Sequence, residues 1–106
     1  MSNLNRVCLM GRLVKDAEMR FTTEGKSVSN FTISVNGFNQ EDVSFFDIVL
    51  WNSESRQQYL TKGTFLSIDG YLKQEFRKNS EGQNRSRVVV IVQNLYLLSK
   101  NPENIN

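Results

Sequence analysis

The chain has 106 residues, of which 39% are hydrophobic and 23% charged, with a formal net charge of +2. That length suits one compact domain with one core and leaves two halves too small to fold alone, while the composition is too apolar for a disordered chain. With no histidine the commonest general base and metal ligand is missing, and the single cysteine, Cys8, allows neither an intrachain disulfide nor a structural zinc site.

The elements follow from hydrophobic alternation and turn signals. The polar start, Met1 to Asn5, lacks a signal-peptide pattern, and no apolar run reaches membrane-spanning length, so a cytoplasmic protein is expected. Val7, Leu9 and Leu13 alternate in a first strand with Gly11 in their row, whereas Arg6, Cys8, Met10 and Arg12 face the other way. Cys8 in this apolar strand is read as packing. Glu24-Gly25-Lys26 signals a turn. A second strand runs from Ser29 to Val35, with Phe31, Ile33 and Val35 alternating against Thr32 and Ser34. Asn36 to Asp42 reads as a loop. The third strand is Ser44-Phe45-Phe46-Asp47-Ile48-Val49-Leu50-Trp51.

Asn52 to Leu60 lacks β-branched residues, offers Asn52 or Ser53 as a cap, and ends in Lys62-Gly63, so a short helix is predicted from Ser53 to Thr61. Thr64 to Leu72 is a fourth strand with Leu66, Ile68 and Leu72 on one face. The polar stretch Arg77 to Ser86 reads as a long hairpin loop, and Arg87 to Leu98 as a fifth strand. Residues 1–100 form the expected domain, and residues 101–106, which hold the only proline, a short disordered end. The order β-β-β-α-β-β is that of a five-stranded OB-fold barrel, all-β with one short helix. OB-folds commonly bind oligonucleotides or oligosaccharides on the face of strands two and three.

No catalytic constellation is visible: the chain has no Walker loop and no GxGxxG, and its acidic residues are scattered singly apart from Glu41-Asp42. No enzyme and no cofactor are therefore expected. Charge is uneven. Lys62 to Lys100 holds seven basic and three acidic residues, whereas Met1 to Thr61 holds six and seven. A basic second half fits an anionic ligand, as well as an ordinary solvated surface.

The third strand poses a sharper question. Phe46, Ile48 and Leu50 make a core face, but the other face holds Phe45, Asp47, Val49 and Trp51, where a solvated strand would be mostly polar. Either Phe45 and Trp51 are core, covered by the helix or another subunit, or they form a stacking platform. Base–aromatic stacking contributes about 1–3 kcal/mol per base and is tolerant of sequence. Phe45 and Trp51 lie roughly 20 Å apart along the strand, which suits a longer nucleic-acid strand crossing the sheet. Phe38 and Phe76 are further stacking candidates, and Lys73, Arg77, Lys78, Arg85 and Arg87 are candidates for tracking phosphates.

These residues resemble the bacterial single-stranded DNA-binding protein family over Asn5 to Leu98. The resemblance rests on ordered motifs: Asn5-Arg6, Gly11 and Leu13; Asp16, Glu18, Arg20, Phe21 and Gly25; Phe45 and Trp51; Tyr59-Leu60-Thr61-Lys62-Gly63; and Gly70-Tyr71-Leu72. It implies an OB-fold homotetramer that coats single-stranded DNA in replication, recombination and repair, at the nucleoid. It also implies stacking at Phe45 and Trp51. Phe76 is implied as the hairpin aromatic, with a spacing from Gly70 one residue short, and Phe38 lies near another stacking position. Arg6, Lys62 and Lys73 match positions usually basic, whereas Glu75 falls near one that is often basic. Family members usually continue into a flexible segment with an acidic tip that recruits replication and repair proteins. This sequence ends in Asn-Pro-Glu-Asn-Ile-Asn, so recruitment through such a tail is not expected. The rival readings are a related primosomal accessory acting as a dimer, and a protein-interaction OB domain without nucleic-acid binding.

Overall fold

Strand β1 (Val7–Leu13) shows how alternation becomes architecture. Leu13 is buried and Val7 and Leu9 pack against the core, while Cys8, Met10 and Arg12 face out. The computed structural model describes residues 3–39 and 41–99. After β1 come β2 (Glu18–Phe21), β3 (Ser27–Asn36), β4 (Val43–Trp51), a 3-10 helix (Glu54–Tyr59), β5 (Phe65–Lys78) and β6 (Asn84–Ser99). The sheet runs in the order β1-β5-β6-β4-β3-β2, and β1 also pairs with β3. That last pairing closes five strands into a ring, the OB-fold barrel expected above, with β2 left outside as a short extension of β3.

The barrel interior is filled by the inward rows. Ile33, Ile48, Leu60, Leu66 and Ile68 are almost wholly buried, with Phe31, Leu50 and Val90 beside them. Closure needs strands to approach closely at two glycines. Any Cβ on Gly11 would strike the Ser34 carbonyl oxygen, where β1 passes from β5 to β3; one on Gly70 would strike the Ile91 carbonyl oxygen. Gly70 also adjoins the register shift between β5 and β6, so the strand bends there without a side chain in the way. Asn5 adds a rung. Its side-chain amide donates to the Leu72 carbonyl and its oxygen accepts from the Leu72 N–H, both at 2.8 Å, which extends the β1–β5 ladder beyond β1.

Four expectations are corrected. The helix is a 3-10 helix over Glu54–Tyr59, shorter than the predicted Ser53 to Thr61. Its potential caps are committed elsewhere: Asn52 takes a positive φ of 55°, and the buried Ser53 hydroxyl is hydrogen-bonded to Ser29 Oγ at 2.7 Å. Gln57 then bridges the helix to the barrel, accepting from Ser29 at 2.8 Å and donating to the Ala17 carbonyl at 3.1 Å. Second, Glu18–Phe21 is a strand, paired with Ser27 to Asn30. Third, most of the expected hairpin loop is strand. β5 and β6 pair out to Lys78↔Asn84, leaving a tight turn in which the Asn79 side chain accepts from the Glu81 and Gln83 N–H groups. Fourth, Cys8 is exposed and not packed in the core, because it lies on the outer row of β1. The expected tail at 101–106 lies outside the described residues.

The Gly70 contact is with backbone, which cannot yield as a side chain could. Gly70→Ala is therefore expected to lower stability by at least about 1–3 kcal/mol. The measurement is urea unfolding, read as a drop in midpoint at unchanged slope.

Candidate functional site

Cross-strand register carries the outer row of β4 across the barrel. Trp51 lies opposite Val28, Val49 opposite Asn30, Asp47 opposite Thr32 and Phe45 opposite Ser34 on β3. On the other side β4 meets β6 in parallel, Val49 pairing with Ile91. β6 passes the surface on to β5 through Tyr71↔Ile91, Lys73↔Val89, Glu75↔Arg87 and Arg77↔Arg85. One continuous face therefore collects Phe45, Asp47, Val49 and Trp51 with Tyr71, Lys73, Glu75, Arg77, Arg85 and Arg87.

The floor of this face is a second small core. Val28, Val49, Val89 and Ile91 are buried against one another, with Tyr71 packed on them. Val49 is core, whereas Phe45 is 63% and Trp51 43% exposed. The aromatics stand at the two ends of a rigid apolar floor, with ring surface open to solvent.

Asp47 is explained by its neighbours. Its Oδ1 accepts from the Thr32 hydroxyl at 3.0 Å, and its Oδ2 lies 3.7 Å from Arg87 Nη1. The Nε of Arg87 donates to Glu75 Oε1 at 3.2 Å. Thr32, Asp47, Arg87 and Glu75 thus form a polar belt across β3, β4, β6 and β5, between the two aromatics. Arg87 is shared by two carboxylates, which compete with phosphate for its guanidinium. Arg77 and Arg85 are directly opposite each other, a like-charge pair that costs stability on its own. The Arg85 guanidinium also donates to Gln83 Oε1 at 3.0 Å.

The remaining candidates distribute as follows. Lys73 projects from the same face. The register continued one residue beyond Val7↔Gly70 sets Arg6 against Tyr71, on the row of Lys73. Phe38 is fully exposed in the β3–β4 loop. Phe76 is exposed too, but it belongs to the opposite row, with Leu72, Ser86 and Val88, and Lys78 shares that row. These two therefore stand on the reverse of the hairpin, not beside Phe45. The one-residue spacing shortfall from Gly70 accounts for this, since a shift of one residue reverses a strand side chain. Lys62 lies off the platform, after the 3-10 helix, where its backbone N–H donates to Asp16 Oδ1 at 2.8 Å.

The family model of the single-strand binding protein family matches residues 4–98. The chain belongs to the single-strand binding protein family. It is 39% identical to the single-stranded DNA-binding protein of Treponema pallidum, over 92% of this chain and 60% of that protein. With the Bacillus cereus single-stranded DNA-binding protein it shares 38% identity over 82% of this chain and 54% of the relative. With single-stranded DNA-binding protein 1 of Staphylococcus aureus it shares 34% over 97% of this chain and 69% of the relative. The chain thus spans about half to two thirds of the length of these curated relatives.

Two basic residues escaped the sequence reading. Lys26 lines a shallow recess with Thr22, Glu24, Trp51 and Asn52. Arg20 faces Val28, which in turn faces Trp51, so it shares the outer row. The signal was the strand character of β2: once Glu18–Phe21 is paired to β3, its alternate residues Glu18 and Arg20 fall on the platform side.

The floor and the rim should respond differently to truncation. Val49→Ala removes buried methyls and is expected to cost about 2 kcal/mol of stability. Phe45→Ala, at an exposed ring, is expected to cost less than about 1 kcal/mol. Denaturant unfolding of the two variants separates them.

Proposed function

We propose that this chain binds single-stranded DNA, largely independently of sequence, along the face that runs from Phe45 to Trp51. The observation that carries the reading is the pair of exposed aromatics set on a buried valine floor and flanked by cations. Flat rings accept any base face, and Lys73, Arg77, Arg85, Arg6, Arg20 and Lys26 lie where a backbone leaving either ring can meet them. Duplex DNA hides its base faces from such rings, so the design favours single strands. The names of the relatives support the same ligand.

The proposal includes coating and protection of exposed strands in replication, recombination and repair, in the cytoplasm at the nucleoid. It assigns binding and no catalytic step. Phe38, fully exposed in its loop, serves as an outlying stacking residue, while Phe76 and Lys78 act from the reverse of the hairpin. Lys62 contributes to charge away from the platform. Assembly into a homotetramer is part of the proposal. Its support is the resemblance, together with an exposed apolar strip where Met10, Ser67 and Tyr96 lie opposite one another across β1, β5 and β6. Among the described residues no helix is long and apolar enough to cross a membrane.

Titration with oligo(dT) at several salt concentrations tests the reading. Trp51 is the only tryptophan, so its fluorescence reports one end of the platform. Saturable quenching is expected, with log K falling by about 0.7 per phosphate neutralised for each tenfold rise in salt. Phe45→Ala and Trp51→Ala are each expected to lose about 1–3 kcal/mol of binding while remaining folded. No binding at low salt, or affinity indifferent to salt, overturns the proposal.

A further inference from the structure

The polar belt between the aromatics does not suit a ligand read only through stacking and phosphates. Its charged members are Asp47, Arg87 and Glu75, a local net of −1 in the middle of a face proposed to bind a polyanion. Phosphates are repelled at that point, whereas base edges are not. Asp47 side-chain exposure is 48% and that of Arg87 40%, so both are open to a ligand on the platform.

The unused hydrogen-bonding capacity of the belt can be counted. An ionised carboxylate has about four acceptor sites, and Asp47 uses one on Thr32 while its other oxygen stands 3.7 Å from Arg87 Nη1. Arginine has five N–H donors, and Arg87 directs one to Glu75 and one towards Asp47. Acceptor and donor capacity therefore lie side by side. Asp47 is two positions from Phe45 in the same row, about 7 Å along the strand, where the edge of a base stacked on that ring projects. Glu75 is two strands further across and is spent on Arg87 Nε.

We infer that Asp47, steadied by Thr32 and Arg87, is a base-edge contact that favours bases carrying an exocyclic amine over thymine. The inference rests on the single-strand-binding reading and qualifies its sequence tolerance. The chemistry is that of a carboxylate accepting from the cytosine N4 amine, as in groove recognition. Thymine offers only N3–H, set between two carbonyl oxygens that repel a carboxylate. Arg87 steadies the Asp47 carboxylate and offers its spare N–H groups to the acceptor beside the amine.

The test compares oligo(dC) with oligo(dT) of equal length on the intact protein, its Asp47→Asn and Glu75→Gln variants, and an oligo(dC) whose N4 amines are dimethylated. Either substitution removes one negative charge, so both should tighten all oligonucleotides through phosphates. Only Asp47→Asn should also shift the dC-to-dT affinity ratio, by about fivefold towards dT, the low end of a base-edge contact. Dimethylation should weaken binding to the unsubstituted protein about fivefold relative to oligo(dC), and should not do so in Asp47→Asn. This second arm needs no variant to fold in order to read the donor's effect. A ratio unchanged in Asp47→Asn, an equal shift in Glu75→Gln, or indifference to dimethylation overturns the inference while leaving single-strand binding intact. Failure of every oligonucleotide to bind overturns both.

Discussion

Closure of the sheet depends on β1 hydrogen-bonding to two strands in turn, β5 through most of its length and β3 at Arg12 and Leu13. A strand can change partners this way only if it bends sharply, and the bend falls at Gly11, where the Ser34 carbonyl occupies the space of a side chain. Without that crossover the strands would form an open sheet with β1 at one edge and β2 at the other. With it, every strand of the ring has one row in a sealed interior and one row outside. The aromatic pair, its valine floor and its polar belt are properties of the outside rows of β3, β4, β6 and β5, so their geometry is inherited from closure.

The alternation of β1, β3 and β4 was legible because half-buried strands repeat every two residues. Ile33, Ile48, Leu66 and Ile68 fall in the interior as that period requires. The 3-10 helix was legible as a break in strand pattern but not as a helix type, since Ser53 and Gln57 are drawn to Ser29, a contact across more than twenty residues that no local signal encodes. β2 was missed because all four of its residues are exposed and its sequence alternates weakly. The hairpin carries no strand signal for a similar reason: Arg77 to Ser86 is polar, and its strands are held by ladder bonds to each other, not by burial.

The same limits apply to the site. Phe45 and Trp51 stood out because aromatic residues on a non-core row are unusual. Which other residues share their face depends on register, and register is a long-range property. Phe76 and Arg77 are neighbours in sequence and stand on opposite sides of the hairpin. Arg20 joins the surface only through two successive pairings, Val28 and then Trp51. The role of Asp47 was the least legible of all. A carboxylate in a hydrophobic strand has no local explanation, and its partners come from two other strands, β3 and β6.

The junction of β4 with β6 is parallel and holds only two register pairs, Ile48↔Val90 and Val49↔Ile91, against the nine of β3 with β4. Only the β1–β3 closure, also two pairs, is as slight, so this is one of two lines along which the barrel would part with little loss of ladder. On one side stand β3 and β4 as a hairpin; on the other, β5 and β6 as another. The Asp47–Arg87 pair straddles that seam on the outer surface, while Ile48 and Val90 meet across it inside. Anything lying over Phe45 and the arginines of β6 at once would act as a suture, tying two hairpins whose backbone connection is slight. The face that offers itself to a ligand is thus also one where an added ligand would restrain the opening of the fold.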